Sequence, residues 1–186
     1  MTELTGDRKE TTMSDLNAFQ IQQWISDNGD KLKPPVGGET LWKDSDLMIT
    51  VVGGPNKRTD YHIDPFPEFF FQITGDIVLR IQEDGKPRDV CVKEGDVFML
   101  PPYVPHAPMR PAGTVGLIAE IKRQKDHPLD AFAWFCEACN HPLFRKDAYI
   151  DVLERDMPPV FEAYYADPAN QHCDGCGHDN PGRPAP

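Results

Sequence analysis

The sequence predicts a mainly β protein: an antiparallel barrel or jelly roll, with one N-terminal helix and a small C-terminal helical segment that holds a four-cysteine metal site. Three observations predict it. Between Thr40 and Lys122, short apolar or β-branched runs alternate with turn signals at the spacing of antiparallel strands. Nineteen prolines in 186 residues, about twice the usual share, suit many turns and disfavour long helices. Two Cys-x-x-Cys pairs follow the β-rich region.

The elements follow in order. Residues 1–15 are polar and are expected to be disordered. A helix is expected to open at Ser14, with Leu16, Phe19, Ile21, Trp24 and Ile25 mostly on one face and Gly29 at its end. Lys33 to Gly38 reads as extended or looped. Strand runs then appear at Leu47–Val52, Glu68–Ile73, Ile77–Ile81, Asp89–Val92, Val97–Leu100 and Val115–Ile121. The turns between them are Gly53-Gly54-Pro55, Gly75-Asp76, Asp84-Gly85, Glu94-Gly95 and Pro111-Ala112-Gly113. The expected organisation is a barrel over 16–125, a metal-binding segment over 126–179 with a helix near Asp147–Arg155, and a flexible tail over 180–186.

Charge and hydropathy remove several function classes. Thirty acidic against nineteen basic residues give a net charge of −11, the opposite of what a nucleic-acid or anionic-membrane binder needs. No stretch approaches the ~18–20 apolar residues of a membrane span, and the charged start has no secretory pattern. The cytoplasm is the expected compartment. No Gly-rich phosphate loop or Ser-His-Asp order appears.

Two stretches carry metal chemistry. His62 leads into a strand, Glu68 begins the next aromatic run, and Gly75 follows after six intervening residues. Further on, a strand from Gly95 ends at Pro101, and a proline-rich turn presents His106. Two imidazoles and one carboxylate can occupy one face of an octahedron around non-haem Fe(II) and leave three positions open. Taken singly, a histidine beside prolines is more often a loop residue, and Glu68 could be a solvated strand charge. The joint spacing is what points to a metal.

That spacing resembles the two signature motifs of the cupin superfamily. His62, Asp64, Glu68 and Gly75 stand at the positions of the first, and Gly95, Pro101, Tyr103 and His106 at those of the second. Tyr103 replaces a glycine, and Asp64 replaces a second histidine, which argues for three ligands rather than four. The match narrows over Val52–His62, Pro67–Gln72, Leu100–His106 and the early Leu32–Pro35. These stretches resemble the 3-hydroxyanthranilate 3,4-dioxygenase family over residues 20–176.

The resemblance implies roles for matching residues. His62, Glu68 and His106 correspond to ligands of a catalytic Fe(II). Arg58 and Arg110 match positions near the iron, and Glu120 matches an acidic substrate contact. Arg110 can grip a substrate carboxylate by a two-pronged charge-assisted pair. Glu120 can accept hydrogen bonds from the amine or phenol. Substrate phenolate and amine can chelate the iron beside a position for O2, and Arg58 can stabilise negative charge developing on the dioxygen. The implied reaction opens 3-hydroxyanthranilate to 2-amino-3-carboxymuconate semialdehyde, the precursor of quinolinate. NAD synthesis, tryptophan breakdown by the kynurenine pathway and nitroaromatic degradation would all use that chemistry. A homodimer is the family's habit. Without the resemblance, Arg58 reads as a turn residue pairing with Asp60, Arg110 as a surface charge, and Glu120 as a strand residue facing water. Phe69, Phe70 and Phe71 read as core, with one free to line a pocket.

Cys136, Cys139, Cys173 and Cys176 form two knuckles that can point four thiolates at one ion. Four sulfurs leave no open position, so this site, for Fe or Zn, is expected to be structural and to staple the C-terminal segment to the barrel. The resemblance supports it, since microbial members carry a rubredoxin-like second site. His141, His172 and His178 stand near enough in sequence to substitute. Cys91 reads as a buried or half-buried strand residue. The competing functions are another metal-dependent cupin enzyme and a non-catalytic small-molecule sensor.

Overall fold

The computed structural model describes residues 17–34, 37–43 and 45–183. The expected disorder over 1–15, the helix start at Ser14 and the contribution of Leu16 lie outside the described residues, as do the last three residues of the tail.

Two antiparallel sheets make up the body, as the sequence led us to expect. The strands are β1 (Gly38–Leu41), β2 (Leu47–Gly53), β3 (Tyr61–Ile63), β4 (Glu68–Thr74), β5 (Ile77–Glu83), β6 (Lys86–Val92), β7 (Val97–Leu100), β8 (His106–Met109), β9 (Val115–Ile121), β10 (Asp130–Phe135) and β11 (Pro142–Ala148). One sheet has the order β1-β2-β9-β4-β7, the other β11-β10-β3-β8-β5-β6. The second sheet therefore continues past residue 125: β10 pairs with β3 and β11 with β10.

Alternation along β2, β9 and β4 sends every second side chain to one inner face. The register sets Met48 opposite Glu120, Thr50 opposite Ile118 and Val52 opposite Gly116. It also sets Phe70 opposite Ile118 and Gln72 opposite Gly116. Between the sheets, Phe70, Ile77, Leu79, Ile81, Val92 and Leu100 form the main core. Each such side chain contributes about 1.5–3 kcal/mol on burial.

Several local expectations are corrected. Helix α1 spans Ile21–Asp27, shorter than expected, and Gly29 opens a 3-10 turn to Leu32 instead of ending the helix. Ile21, Trp24 and Ile25 pack on Leu32, Leu41 and Val51, whereas Phe19 precedes the helix and meets the Trp42 ring edge-on. The helix expected near Asp147–Arg155 is displaced: Asp147 and Ala148 end β11, and α2 runs over Leu153–Tyr165. Its interior prolines, Pro158 and Pro159, read as helix breakers, yet the helix passes through them because its apolar face is buried. Val160 and Tyr164 join Phe132, Trp134 and Ile150 in a second core, with the Trp134 and Tyr164 rings stacked at 4.3 Å. Cys91 is exposed, because β6 turns its neighbours Val90 and Val92 inward. Tyr103 does adopt a left-handed backbone, φ 63°, the conformation that a glycine there would favour.

Candidate active site

The two histidines meet across one strand pair. His62 lies at the centre of β3, and His106 begins β8 rather than standing in the turn before it; they are register partners. Glu68, the first residue of β4, comes from the opposite sheet. One ligand atom from each of His62, Glu68 and His106 lies within 4.8 Å of the others. Glu68 Oε1 is 3.3 Å from His62 Nδ1 and 3.0 Å from His106 Nε2. It is buried, yet no donor is aligned to hydrogen-bond it. A buried carboxylate oxygen without an aligned donor, facing two imidazole nitrogens, fits a divalent cation of the kind that carboxylate and imidazole bind.

The surroundings fix the donors. His106 Nδ1 is 3.1 Å from the Val104 carbonyl, which accepts its proton and leaves Nε2 free to ligate. His62 Nε2 is 2.8 Å from Asp130 Oδ1, which leaves Nδ1 facing Glu68. The His62 ring also stacks on Phe132 at 5.1 Å. Burial opposes a charge on His62, but Asp130 and Glu68 outweigh it and push its pKa up to about 10. For Glu68, burial favours the neutral acid, but His106 and His62 prevail and hold it well below the usual carboxylate range. The cage thus stabilises positive charge at its centre.

A buried arginine supports it. Arg123 donates to both oxygens of Asp130 at 2.7 and 2.8 Å, lies 2.6 Å from Asp64 and reaches Glu120 at 3.4 Å. Asp64, Glu68 and Glu120 offer a second group of oxygens within 4.8 Å. The Arg123 guanidinium already supplies the positive charge beside two of those carboxylates. Asp64 also accepts from the Phe66 amide at 2.6 Å, as a turn aspartate would.

A cavity of about 130 Å³ opens on this cluster, lined among others by Thr50, Arg58, Glu68, Phe70, His106 and Glu120. That is well below the ~300 Å³ at which drug-sized sites begin, so it suits a single-ring ligand. Ile150, Leu153 and Met157 from the C-terminal segment also line it. Arg58 pairs with Asp60 through both Nε and Nη2, so the turn pairing and the place beside the cavity both hold. Burial opposes its charge, but Asp60 outweighs burial and raises its pKa. Glu120 faces inward; burial and then Glu68 push its pKa up to about 8, a value at which a carboxyl exchanges protons near neutrality.

Arg110 is buried rather than on the surface, but it is not among the residues lining that cavity. Its Nη1 lies 3.4 Å from Gln72 Oε1, and its Nη2 has no partner. Burial and then the charge of Arg58 lower its pKa to about 10. Of the three phenylalanines, Phe70 is the one that lines the cavity.

The four cysteines converge separately. Their sulfurs lie within 4.8 Å of one another, with Cys136 to Cys176 at 3.6 Å and Cys139 to Cys173 at 3.5 Å. These exceed a disulfide's ~2.05 Å and approach the roughly 3.8 Å edge of a tetrahedron with ~2.3 Å metal–sulfur bonds. The two knuckles have matching backbones. Cys136 N donates to His141 O and Asn140 N to Cys136 O; Cys173 N donates to His178 O and Gly177 N to Cys173 O. Asn140 and Gly177 both take positive φ, 62° and 74°. None of His141, His172 and His178 joins this group of sulfurs, and His172 pairs with Asp179 at 2.7 Å.

Sequence reasoning missed Arg123, Asp130 and Phe132. A signal was present: Asp130 heads Ala131-Phe132-Ala133-Trp134-Phe135, an alternating strand whose alanines weaken its apolar look.

The chain is 49% identical over 175 residues to 3-hydroxyanthranilate 3,4-dioxygenase of Ruegeria pomeroyi, covering 94% of this chain and 97% of that protein. It is 47% identical to the protein of that name from Shewanella woodyi, covering 94% and 92%. Among solved structures it is similar to a cupin-2 domain containing protein from Shewanella frigidimarina, with a TM-score of 0.44 and 14% identity over 55% of this chain and 99% of that one. The family model of 3-hydroxyanthranilic acid dioxygenase matches residues 13–165, through both sheets and into α2. On that match and those identities, the chain belongs to the 3-hydroxyanthranilic acid dioxygenase family.

Proposed function

We propose that this protein is a non-haem Fe(II) ring-cleaving dioxygenase that opens 3-hydroxyanthranilate with O2 to 2-amino-3-carboxymuconate semialdehyde, the precursor of quinolinate. The observation that carries the reading is the meeting of His62 Nδ1, His106 Nε2 and Glu68 Oε1 in one buried cage beside a one-ring cavity. Fe(II) held by these three residues would supply dioxygen activation and a centre for the substrate's phenol and amine. The chain's own side chains do the rest. Phe70, Ile118 and Phe132 give the ring an apolar wall. Glu120 lines the cavity beside the metal-binding residues, where its carboxyl can hydrogen-bond the amine or phenol. Arg58, held by Asp60, offers fixed positive charge where negative charge develops on oxygen. Arg110 is a buried cation whose Nη2 lacks a partner, which suits it to the substrate carboxylate.

The four-cysteine group is proposed to hold a second Fe, or Zn, as a structural staple. A homodimer is proposed as well; it accords with the exposed Val97 and Met99 on the edge strand β7. A cytoplasmic location is consistent with the described residues, where no helix is long and apolar enough to cross a membrane. The test is aerobic turnover. Protein loaded anaerobically with Fe(II) is mixed with 3-hydroxyanthranilate and oxygen, and oxygen uptake is followed together with the ring-opened chromophore. Coupled consumption and product are expected, with none in the metal-free control. Bound iron without turnover would discard the substrate.

A further inference from the structure

Arg110 differs from the other two arginines of the site. Arg58 is neutralised by Asp60, and Arg123 by Asp64 and Asp130. Arg110, 5% exposed, forms no ion pair among the described residues, and its Nη2 has no hydrogen-bond partner. A buried, uncompensated guanidinium is costly unless an anion arrives to pair with it. Something must therefore hold the group in place without cancelling its charge.

Gln72 does this. It is 1% exposed, and both hydrogens of its amide are used: Nε2 donates to the Thr74 carbonyl at 2.9 Å and to the Gly75 carbonyl at 2.8 Å. The pairing of β4 with β9 shifts register between Gln72 and Thr74, and this irregularity coincides with that pair of carbonyls. With Nε2 so committed, Oε1 is aimed at Arg110 Nη1, 3.4 Å away. The opposite strand supplies the space. Gly116 is the register partner of Gln72, and a Cβ on it would lie 2.9 Å from both Arg110 Nη1 and Gln72 Oε1. Any side chain at 116 would push the guanidinium off its tether.

We propose that Gln72 and Gly116 are positioning residues that hold Arg110, uncompensated on a neutral tether, for pairing with a carboxylate, and so set the enzyme's preference for carboxylated aminophenols over aminophenols without one. This rests on the reading of Arg110 as the carboxylate contact. Neutrality of the tether is the main point. A carboxylate at position 72 would form a charge-assisted pair with Arg110 and compete with the substrate for it.

The experiment compares 3-hydroxyanthranilate with 2-aminophenol, the same ring without the carboxylate, read as a substrate or as a competitive inhibitor of the iron-loaded enzyme. Gly116→Ala should fold, since its Cβ meets the far ends of two flexible side chains and its nearest backbone contact, the Phe71 carbonyl, is an ordinary 3.5 Å. Gly116→Ala and Gln72→Glu should each raise KM for 3-hydroxyanthranilate about tenfold or more, with kcat within about twofold and 2-aminophenol binding unchanged. Unchanged KM for 3-hydroxyanthranilate in Gly116→Ala overturns the proposal. Equal weakening of both ligands also overturns it, because the effect would then be general damage to the site. Arg110→Ala separates the two levels. If it weakens both ligands alike, the carboxylate reading itself is wrong; if it is selective while Gly116→Ala is silent, only the positioning roles are wrong.

Discussion

Asp130, the first residue of β10, accepts a hydrogen bond from Nε2 of His62, a strand away on β3, at 2.8 Å. The carboxylate is itself gripped by Arg123 through two nitrogens. Burial would favour neutral Asp130, but His62 and Arg123 outweigh it and lower its pKa. Asp130→Asn keeps the shape and removes the charge that orients the ring. Metal affinity at the histidine site should fall about 10–100-fold. A Co(II) titration, read apart from the thiolate charge-transfer bands of the four-cysteine site, measures this; wild-type affinity would remove Asp130 from the support of His62.

Glu68 faces both imidazoles from the other sheet. Glu68→Gln, His62→Ala and His106→Ala are each expected to lose catalytic iron and oxygen uptake. Metal analysis alongside the oxygen electrode checks it, and full activity in any one variant would sink that residue's assignment as a ligand.

Arg110→Ala should raise KM for 3-hydroxyanthranilate with a smaller change in kcat. Loss of a charge-assisted contact worth about 2–4 kcal/mol corresponds to a rise of roughly 30-fold or more. Steady-state kinetics give the answer directly, and an unchanged KM contradicts a carboxylate contact.

Cys136 follows β10 immediately, so the four-cysteine group is joined directly to the strand that carries Asp130 and Phe132. Cys136→Ser is expected to lose the second metal and to lower the melting temperature, while still-folded protein with its catalytic iron keeps turning over. Loss of turnover in that folded, iron-loaded state would show that the thiolate site acts in the chemistry.

Asp156 ties down the entry to α2. It accepts from the Asp151 and Val152 amides at 2.9 Å and pairs with Arg155. Arg155 first, then the backbone amides, holds its pKa well below the usual range. A depressed carboxylate pKa stabilises the fold above the unfolded value of about 3.9, and that contribution is lost as pH falls toward the folded value. Wild-type melting temperature should therefore drop more steeply below about pH 4 than that of Asp156→Asn; parallel curves would argue against a stabilising role for these Asp156 contacts.

Much of this molecule is legible in its sequence, for local reasons. Strands such as Val97–Leu100 and Val115–Ile121 show as apolar runs between glycine turns, and their ends match to the residue. The candidate metal-binding groups are legible because ligand chemistry restricts residue type and spacing: His62, Glu68 and His106 fall on motif positions, and Cys136, Cys139, Cys173 and Cys176 come as two tight pairs. What tertiary structure decided is what depends on strand pairing at long range. The register of β3 with β10 brings Asp130, 68 residues away in the chain, to His62. Burial in a shared core carries α2 through Pro158 and Pro159, against local propensity. The opposition of Gln72 and Gly116 across β4 and β9 leaves room for an uncompensated Arg110. Local signals depend on which residue stands at each position. Charge pairing and close approach depend on which strands lie side by side, and that is settled only when the two sheets close on one another.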